Sequence, residues 1–325
     1  MTGASECQDG PCDTPVFEGA PPADEPLPKA GGLPLSHGLL ALLVVAIWGT
    51  NFVVIHQGLE QFPPFTFACL RFFFSSVPLL LFMPRPKTSL GTVISYGLLV
   101  GTGQFGLMLY AMHGHISPGL ASVLIQTQAF FTVGLAVMIA GERLSPRSLI
   151  GLLLCGAGVI LAAAFTGGEN SLLGVLLVLG AALAWGAANI VARRAGPINA
   201  LALVVWSNLF ALPPLAAAAW FFEGPAEIGA ALTHATAGGW MTVFWQAFGN
   251  ALFGYAAWNW LLGRHPASRV APLGLMVPVF GLGASAWYLA EPMPWWKLAA
   301  AAAIMAGLAV NILPGPARRG LRRGT

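Results

Sequence analysis

"SVLIQTQAFFTVGLAVMIAGERLSP", residues 122–146, is an apolar run that contains two amide side chains, Gln126 and Gln128, and no charge before Glu142. A helix needs about 20 apolar residues to cross the hydrocarbon core of a membrane, and this run is long enough to do so. Each amide carries donors and acceptors that need partners. What supplies those partners depends on the solvent around the segment.

Composition indicates that this solvent is lipid. The chain has 325 residues, of which 57% are hydrophobic and 8% are charged, with a mean hydropathy of +0.75. A soluble domain carries about a quarter charged residues. Between residues 37 and 313 only 16 charged residues occur, and none of them is Asp. The chain is therefore predicted to be an all-α integral membrane protein.

Hydropathy predicts ten transmembrane helices, joined by connections that are short except for 223–237. Ser145 and Pro146 are predicted to be the N-cap and first residue of the fifth helix. The candidate spans are 37–56, 65–83, 91–112, 117–140, 147–166, 172–192, 199–222, 238–262, 268–290 and 295–313.

The distribution of basic residues predicts the topology. The side that would hold both termini carries 13 of the 15 Lys and Arg residues. By the positive-inside rule both termini are predicted to be cytoplasmic. Residues 1–36, rich in Pro, Gly and acid, are predicted to be a disordered tail without a signal peptide. Residues 314–325 are a basic tail, which we interpret as a topology signal rather than as a nucleic-acid site.

An internal repeat divides the chain. Residues 141–159 align with 290–308 at an offset of 149, which places Glu142 on Glu291. A second similarity is the Trp-Gly pair, which occurs at Trp48 and Gly49 in the first half and at Trp185 and Gly186 in the first helix of the second half. We therefore predict two related units, 37–166 and 172–313. An odd number of spans in each unit would make the repeats inverted, an arrangement common in alternating-access carriers.

Several stretches carry a family resemblance: "AIWGTNFVVIHQGL", "PGLASVLIQTQAFFTV", "GERL" and "LLGRHPASRVAPLGLMVPVFGL". From residue 38 to 313 the chain resembles the EamA family of the drug/metabolite transporter superfamily, and within it the exporters of O-acetylserine and cysteine. This resemblance implies ten spans, cytoplasmic termini and efflux of a small metabolite without ATP. Two positions depart from the family pattern. Pro292 follows Glu291 where Arg is usual, so the external end is expected to lack that cation, and His56 replaces a common Lys.

No catalytic, nucleotide-binding or metal motif is recognised, so we predict no enzyme activity, no cofactor and no metal. We predict instead an exporter of amino acids or derivatives in the cell inner membrane, with a small molecule and the lipid bilayer as partners and a homodimer as a possibility. The alternatives are a passive channel and, least favoured, a membrane-embedded enzyme. Buried polar and aromatic residues are the candidate substrate ligands, with bundle packing as the competing interpretation of each: Trp48, Asn51, Arg71, Gln104, Tyr110, Gln126, Gln128, Trp185, Asn189, Trp206, Tyr255 and Trp258.

The two glutamines, Arg71 and a group of three histidines each allow two interpretations. Side chains two apart on a helix point about 200° apart, so one of Gln126 and Gln128 is expected to line the central space and the other to bond a neighbouring helix. Arg71 is the one charge well inside a span, and it either attracts a substrate carboxylate or ties helix ends together. His56, His113 and His115, at outer helix ends, are candidates for proton coupling, with interfacial caps as the alternative.

Overall fold

A computed structural model describes residues 33–140, 144–168, 170–196 and 198–312. The predicted tails lie almost wholly outside these residues, as do Glu142 and Arg143. Within the described residues the protein is helical, and one isolated bridge between Gly167 and Asn170 is the sole β-type pairing. The all-helical class predicted from composition is therefore confirmed.

We call the end of the bundle where α1 begins the near end and the opposite end the far end. They are α1 Leu35–Leu59, α2 Pro64–Leu80, α3 Leu90–Met112, α4 Pro118–Ile139, α5 Pro146–Ala164, α6 Leu172–Arg194, α7 Ala200–Ala218 with a π-helical turn Ala219–Glu223, α8 Gly224–His234, α9 237–264, α10 267–288 and α11 Trp295–Ile312.

Eight helices in the described part of the chain are long and apolar enough to cross a membrane, α7 and α8 being counted together. Helix α2 is apolar but has 17 residues. Helix α9 is long enough but is not among the eight, and its middle carries Gln246 and Asn250. The chain is thus a multi-pass membrane protein. The connection 223–237, predicted to be a loop, is mostly helix α8, which begins where Gly224 adopts a φ of +81° and breaks α7.

Helix starts follow local sequence. Ser145 accepts a hydrogen bond from the Ser148 main-chain nitrogen at 3.0 Å, and Pro146 occupies the first turn of α5. This confirms the predicted cap, in which the hydroxyl satisfies a main-chain donor that the helix itself leaves free. The side chains of Ser89, Ser171, Asn199 and Thr236 cap α3, α6, α7 and α9 in the same way.

Four helices are interrupted within their length. Helix α4 contains a 3₁₀ turn at Ile125–Thr127, and α10 contains one at Ala271–Met276. Helix α3 is π-helical over Leu98–Gly106, and α9 is π-helical over Trp245–Phe253. Segments of this kind inside α-helices often mark functional sites.

Small residues let α3 cross α7 closely. A Cβ at Gly97 would overlap the carbonyl oxygen of Ser207, and one at Gly101 would overlap the Ala211 side chain. Gly97 and Gly101 thus form a small-residue face on α3. Close backbone approach at such residues is how membrane helices gain van der Waals packing where lipid offers no hydrophobic driving force.

Candidate functional site

Arg71 is a buried cation in the middle of the bundle. It lies on α2 with 3% of its surface exposed. Its guanidinium carbon lies 3.5 Å from the centroid of the Phe105 ring and 4.7 Å from that of Phe72. Nε and Nη1 are buried, and neither has a hydrogen-bond partner among the described residues.

The surroundings of Arg71 therefore satisfy only part of its bonding capacity. A desolvated cation–π contact contributes about 2 kcal/mol. Each buried donor without a partner costs about 1–3 kcal/mol. A planar guanidinium with free donors matches the two oxygens of a carboxylate, which would supply both the missing acceptors and the missing charge.

A cluster of three amides joins α1 to α9. Gln246 Nε2 donates to Asn51 Oδ1 at 2.7 Å, and Asn51 Nδ2 donates back to Gln246 Oε1 at 3.4 Å. Asn250 Nδ2 also donates to Gln246 Oε1, at 3.5 Å. All three side chains are buried. Sequence reasoning missed Gln246, although its spacing of four from Asn250 on one helix face was an available signal.

Three aromatic rings adjoin this cluster. The centroid of the Trp48 ring lies 5.7 Å from that of Tyr255 and 5.2 Å from that of Trp258. Trp48 Nε1 donates to the main-chain oxygen of Asn250 at 3.2 Å. Trp48 thus connects the rings to the amides, and α2, which carries Arg71, packs against the π-helical segment of α9 that carries Gln246 and Asn250. We call this set the central site: Trp48, Asn51, Arg71, Gln246, Asn250, Tyr255 and Trp258.

The two glutamines of α4 have different surroundings. Gln128 Oε1 accepts a bond from Asn189 Nδ2 on α6 at 2.9 Å, and the same nitrogen donates to Thr132 Oγ1 at 3.2 Å. Gln126 lies in the 3₁₀ turn with 8% of its surface exposed, and its amide has no partner among the described side chains. Gln104 is also buried, and its Oε1 has no partner within the described residues.

Three further candidates lie away from the central site. The Tyr110 ring is partly exposed at the far end and stacks on Phe65, with centroids 5.8 Å apart. Trp206 Nε1 donates to the main-chain oxygen of Met83 at 3.1 Å, which ties α7 to the connection between α2 and α3. Trp185 packs against the main apolar core. Each of these contacts is one that a packing side chain makes.

The three candidate histidines, His56, His113 and His115, lie at the far end. His56 Nε2 is 3.7 Å from Glu60 Oε1, and the His115 ring lies beside Tyr110. His113 lines an open pocket of about 450 Å³ together with Glu60, Glu227 and His234. The described residues contain no group of three or more side chains that could hold a metal ion.

A buried ion pair lies at the far end of the bundle. Lys297 Nζ lies 2.7 Å from Glu291 Oε1, and both side chains are almost fully buried. Glu291 Oε2 accepts the Gly119 main-chain nitrogen at 2.9 Å, in the first turn of α4. Lys297 also donates to the Pro292 carbonyl oxygen at 2.8 Å. Pro292 stands where the family usually has Arg, and Lys297, six residues further along the chain than Glu291, is the cation that pairs with this carboxylate.

A multi-pass helical bundle that encloses a buried cation, neutral amides and aromatic rings has the architecture of a membrane transporter. The model of the EamA-like transporter family matches residues 36–164 and 172–313. The chain belongs to this family, whose members are transporters and not enzymes.

Known proteins support the assignment. The chain is 38% identical over 291 residues to a "Probable amino-acid metabolite efflux pump" of Salmonella typhimurium, covering 88% of this chain and 97% of that protein. It is 36% identical over 294 residues to a protein of the same name from Escherichia coli K12, covering 89% and 98%. A solved crystal structure with 19% sequence identity shares the fold at a TM-score of 0.56, covering 85% of this chain and 96% of that one.

Proposed function

We propose that this protein exports amino-acid metabolites across the cell inner membrane by alternating access, without ATP, and binds them at the central site. The observation that carries the proposal is Arg71, a buried cation whose Nε and Nη1 have no partner in the described residues. The names of the Salmonella and Escherichia relatives support the class of cargo.

We further propose ten spans arranged as two inverted repeats. Helix breaks recur at the offset of 149: segments begin at Pro118 and Gln128 in α4, and at 267 and 277 in α10. Helices α5 and α11 begin at Pro146 and Trp295, again 149 apart. Equivalent helices that begin and break at the same offset are expected when two units share one fold.

Two helix crossings support the same relationship. A Cβ at Gly49 would meet the Val277 oxygen, the Phe280 Cβ and the Gly281 nitrogen. A Cβ at Gly186 would meet the corresponding atoms of the residues 149 earlier in α4. Those residues are Gln128, Phe131 and Thr132. The α1–α10 and α6–α4 crossings thus use the same atom types in the same order.

The contact between α5 and α11 supports the inversion. A Cβ added at Gly151 would lie 2.8 Å from the Gly307 carbonyl oxygen, and one added at Gly158 would lie 2.8 Å from the Ala300 carbonyl oxygen. The repeat offset exchanges these two pairs, since it relates Gly151 to Ala300 and Gly158 to Gly307. From the first pair to the second, the residue number rises along α5 and falls along α11, so the two helices are antiparallel. Equivalent helices that pack antiparallel belong to units that are upside down relative to each other.

For orientation we propose that both termini and the near end are cytoplasmic, because 13 of the 15 Lys and Arg residues would then lie inside. A reporter active only in the cytoplasm should be active after Thr325 and inactive within Gly224–His234. Equal activity of the two fusions would contradict the topology.

Counterflow in proteoliposomes with labelled amino-acid derivatives tests the function. We expect saturable counterflow of carboxylate substrates, and Arg71→Gln should reduce it more than it reduces flux of an amide or ester analogue. Arg194→Gln, which changes an exposed arginine at the end of α6, is the control. Unsaturable flux without counterflow would indicate a channel. Equal loss of all substrates in Arg71→Gln, with normal expression, would remove that residue from the binding site.

A further inference from the structure

Two equivalent helices of the proposed repeats differ in burial. In α4, every residue of 118–127 is buried. The offset of 149 relates this stretch to 267–276 in α10. Within 269–276, Val270 is the one buried residue. Related units in the same conformation bury equivalent residues equally, so this difference indicates that the two ends of the bundle differ in conformation.

The packing of α4 against α10 differs in the same way. At the far end the first half of α4, Pro118–Leu124, packs against the second half of α10, Val277–Tyr288. A Cβ at Gly281 would overlap Ser122 Oγ in this contact. The counterpart at the near end would join the first half of α10 to α4 from Gln128 onward, and the described residues form no comparable contact there. The two helices therefore meet at the far end and are apart at the near end.

Apolar side chains seal the far end around this contact. Four of them, at most 2% exposed, belong to the main apolar core: Phe62, Phe67, Ile116 and Leu120. On α2, Phe67 lies one turn closer to the far end than Arg71 of the central site. A molecule bound at the central site would thus face a packed layer in the direction of the far end.

Glu291 forms a bond across the closed contact. It follows α10, and its Oε2 accepts the Gly119 main-chain nitrogen in the first turn of α4. A carboxylate there satisfies a donor that the helix leaves free, and it interacts favourably with the helix dipole. Its other oxygen is bound by Lys297. Because Glu291 and Lys297 both belong to the second unit, separation of α4 from α10 would break the bond to Gly119 and leave the ion pair together.

We infer that this structure is the conformation open toward the near end, and that the contact of Ser122 with Gly281, held by Glu291, is the gate at the far end. The inference rests on the proposed alternating access and on the proposed repeats. During export the far-end gate opens while its counterpart closes. By the offset of 149, Ala271 on α10 and Thr132 on α4 take the places of Ser122 and Gly281 in that near-end gate. The central site is then never open to both sides at once.

Labelling of single cysteines by a membrane-impermeant thiol reagent tests the gate. The parent is a transport-active chain whose four native cysteines are replaced by alanine. Ser285→Cys reports on the far end, because Ser285 is buried on α10 one turn beyond Gly281. Ala271→Cys reports on the near end. Right-side-out and inside-out membrane vesicles present the two ends to the reagent separately. We expect Ala271→Cys to react readily from the near end and Ser285→Cys to be protected from the far end.

A side chain added inside the contact should open the far-end gate. Gly281→Ala should raise the labelling rate of Ser285→Cys about tenfold, which corresponds to a shift of about 1.4 kcal/mol between the two conformations. It should lower the labelling rate of Ala271→Cys, because the near-end gate closes when the far-end gate opens. Gly283→Ala is the matched control, since a Cβ at this position of the same helix meets nothing within 4 Å.

A second variant tests the gate without adding a side chain to the contact. Glu291→Gln combined with Lys297→Met removes the charge from the bond to Gly119 and leaves no buried charge unpaired. The bond then loses its charge assistance and is weaker. We expect both labelling rates to change in the same direction as in Gly281→Ala.

The outcomes separate the gate from the proposed function. If labelling in both gate variants matches that in Gly283→Ala, the contact is not a gate, and the inference is wrong while export stands. If Ser285→Cys in the parent reacts as fast from the far end as Ala271→Cys does from the near end, the assigned conformation is wrong. If the parent shows no counterflow of any labelled amino-acid derivative, the proposed function itself fails.

Discussion

Asn189 Nδ2 donates to Gln128 Oε1 across the contact between α6 and α4, at 2.9 Å. Gln126, two residues before, is buried without a hydrogen-bond partner among the described residues. The two amides that stand together in the sequence therefore differ in their surroundings. One ties two helices together, and the other is left with unused bonding capacity.

Gln126→Leu and Gln128→Leu should consequently have different effects. Gln128→Leu should lower the stability of the purified protein by about 0.6–1.7 kcal/mol, the range measured for interhelical bonds in membranes. Gln126→Leu should leave stability nearly unchanged and raise the half-saturation concentration for transport about tenfold, which corresponds to about 1.4 kcal/mol. Thermal unfolding in detergent and counterflow measure the two effects.

A double-mutant cycle provides the control for the glutamines. Asn189→Leu should cost as much stability as Gln128→Leu, and the double variant should cost little more than either alone. Additive losses would show that the bond between the two side chains contributes nothing. Identical transport and stability in the two glutamine variants would contradict the different roles assigned to them.

Replacing only one member of the Glu291–Lys297 pair should strongly destabilise the protein. Lys297→Met leaves a buried carboxylate without its cation, and removal of one partner of a buried ion pair costs about 3–5 kcal/mol. The combined variant Glu291→Gln with Lys297→Met should recover part of this loss, because no buried charge then remains. Thermal unfolding of the three proteins provides the comparison. A double variant less stable than Lys297→Met would contradict the argument.

Ala290, which precedes Glu291, has a φ of +52°, in the left-handed region that side chains disfavour. Ala290→Gly should relieve this strain, which costs about 1–2 kcal/mol, against a smaller loss from the greater freedom of the unfolded chain. We expect a net stabilisation of about 0.5–1 kcal/mol. Ala286→Gly, at an exposed position in α10, should instead destabilise by about 1 kcal/mol. A loss of stability in both variants would show that Ala290 is not strained.

Gly97 should not tolerate a side chain. Its Cβ would overlap the Ser207 carbonyl oxygen, so Gly97→Ala must push α3 away from α7 at a cost of about 1–3 kcal/mol. Gly91→Ala, in the first turn of the same helix and free of close contacts, should be neutral or slightly stabilising. Equal stability of the two variants, measured by thermal unfolding, would contradict the close crossing.

What the sequence determined by itself rests on local or averaged properties. Apolar content identified a membrane protein, because the cost of burying charge in lipid acts along the whole chain. Ser145 and Pro146 marked the start of α5, because a cap and its helix are neighbours in sequence. The family motifs were readable for the same reason, since they lie within short segments. The offset of 149 came from sequence alone, and the helix starts at 118 and 267 are separated by the same offset.

Only the tertiary structure decided which side chains meet. Gln246 and Asn51 are 195 positions apart, and nothing local to either predicts the other. The same holds for Lys297, whose pairing with Glu291 depends on the turn at Ala290. Gln128 and not Gln126 bonds Asn189 because of how α4 is rotated against α6, and the 3₁₀ turn at Ile125–Thr127 changes that rotation within the helix. Tyr110 and Trp206 have the same apolar neighbours in sequence as the ligands proposed for the central site. Their positions depend on helix packing, which is a property of the whole bundle and not of any one segment.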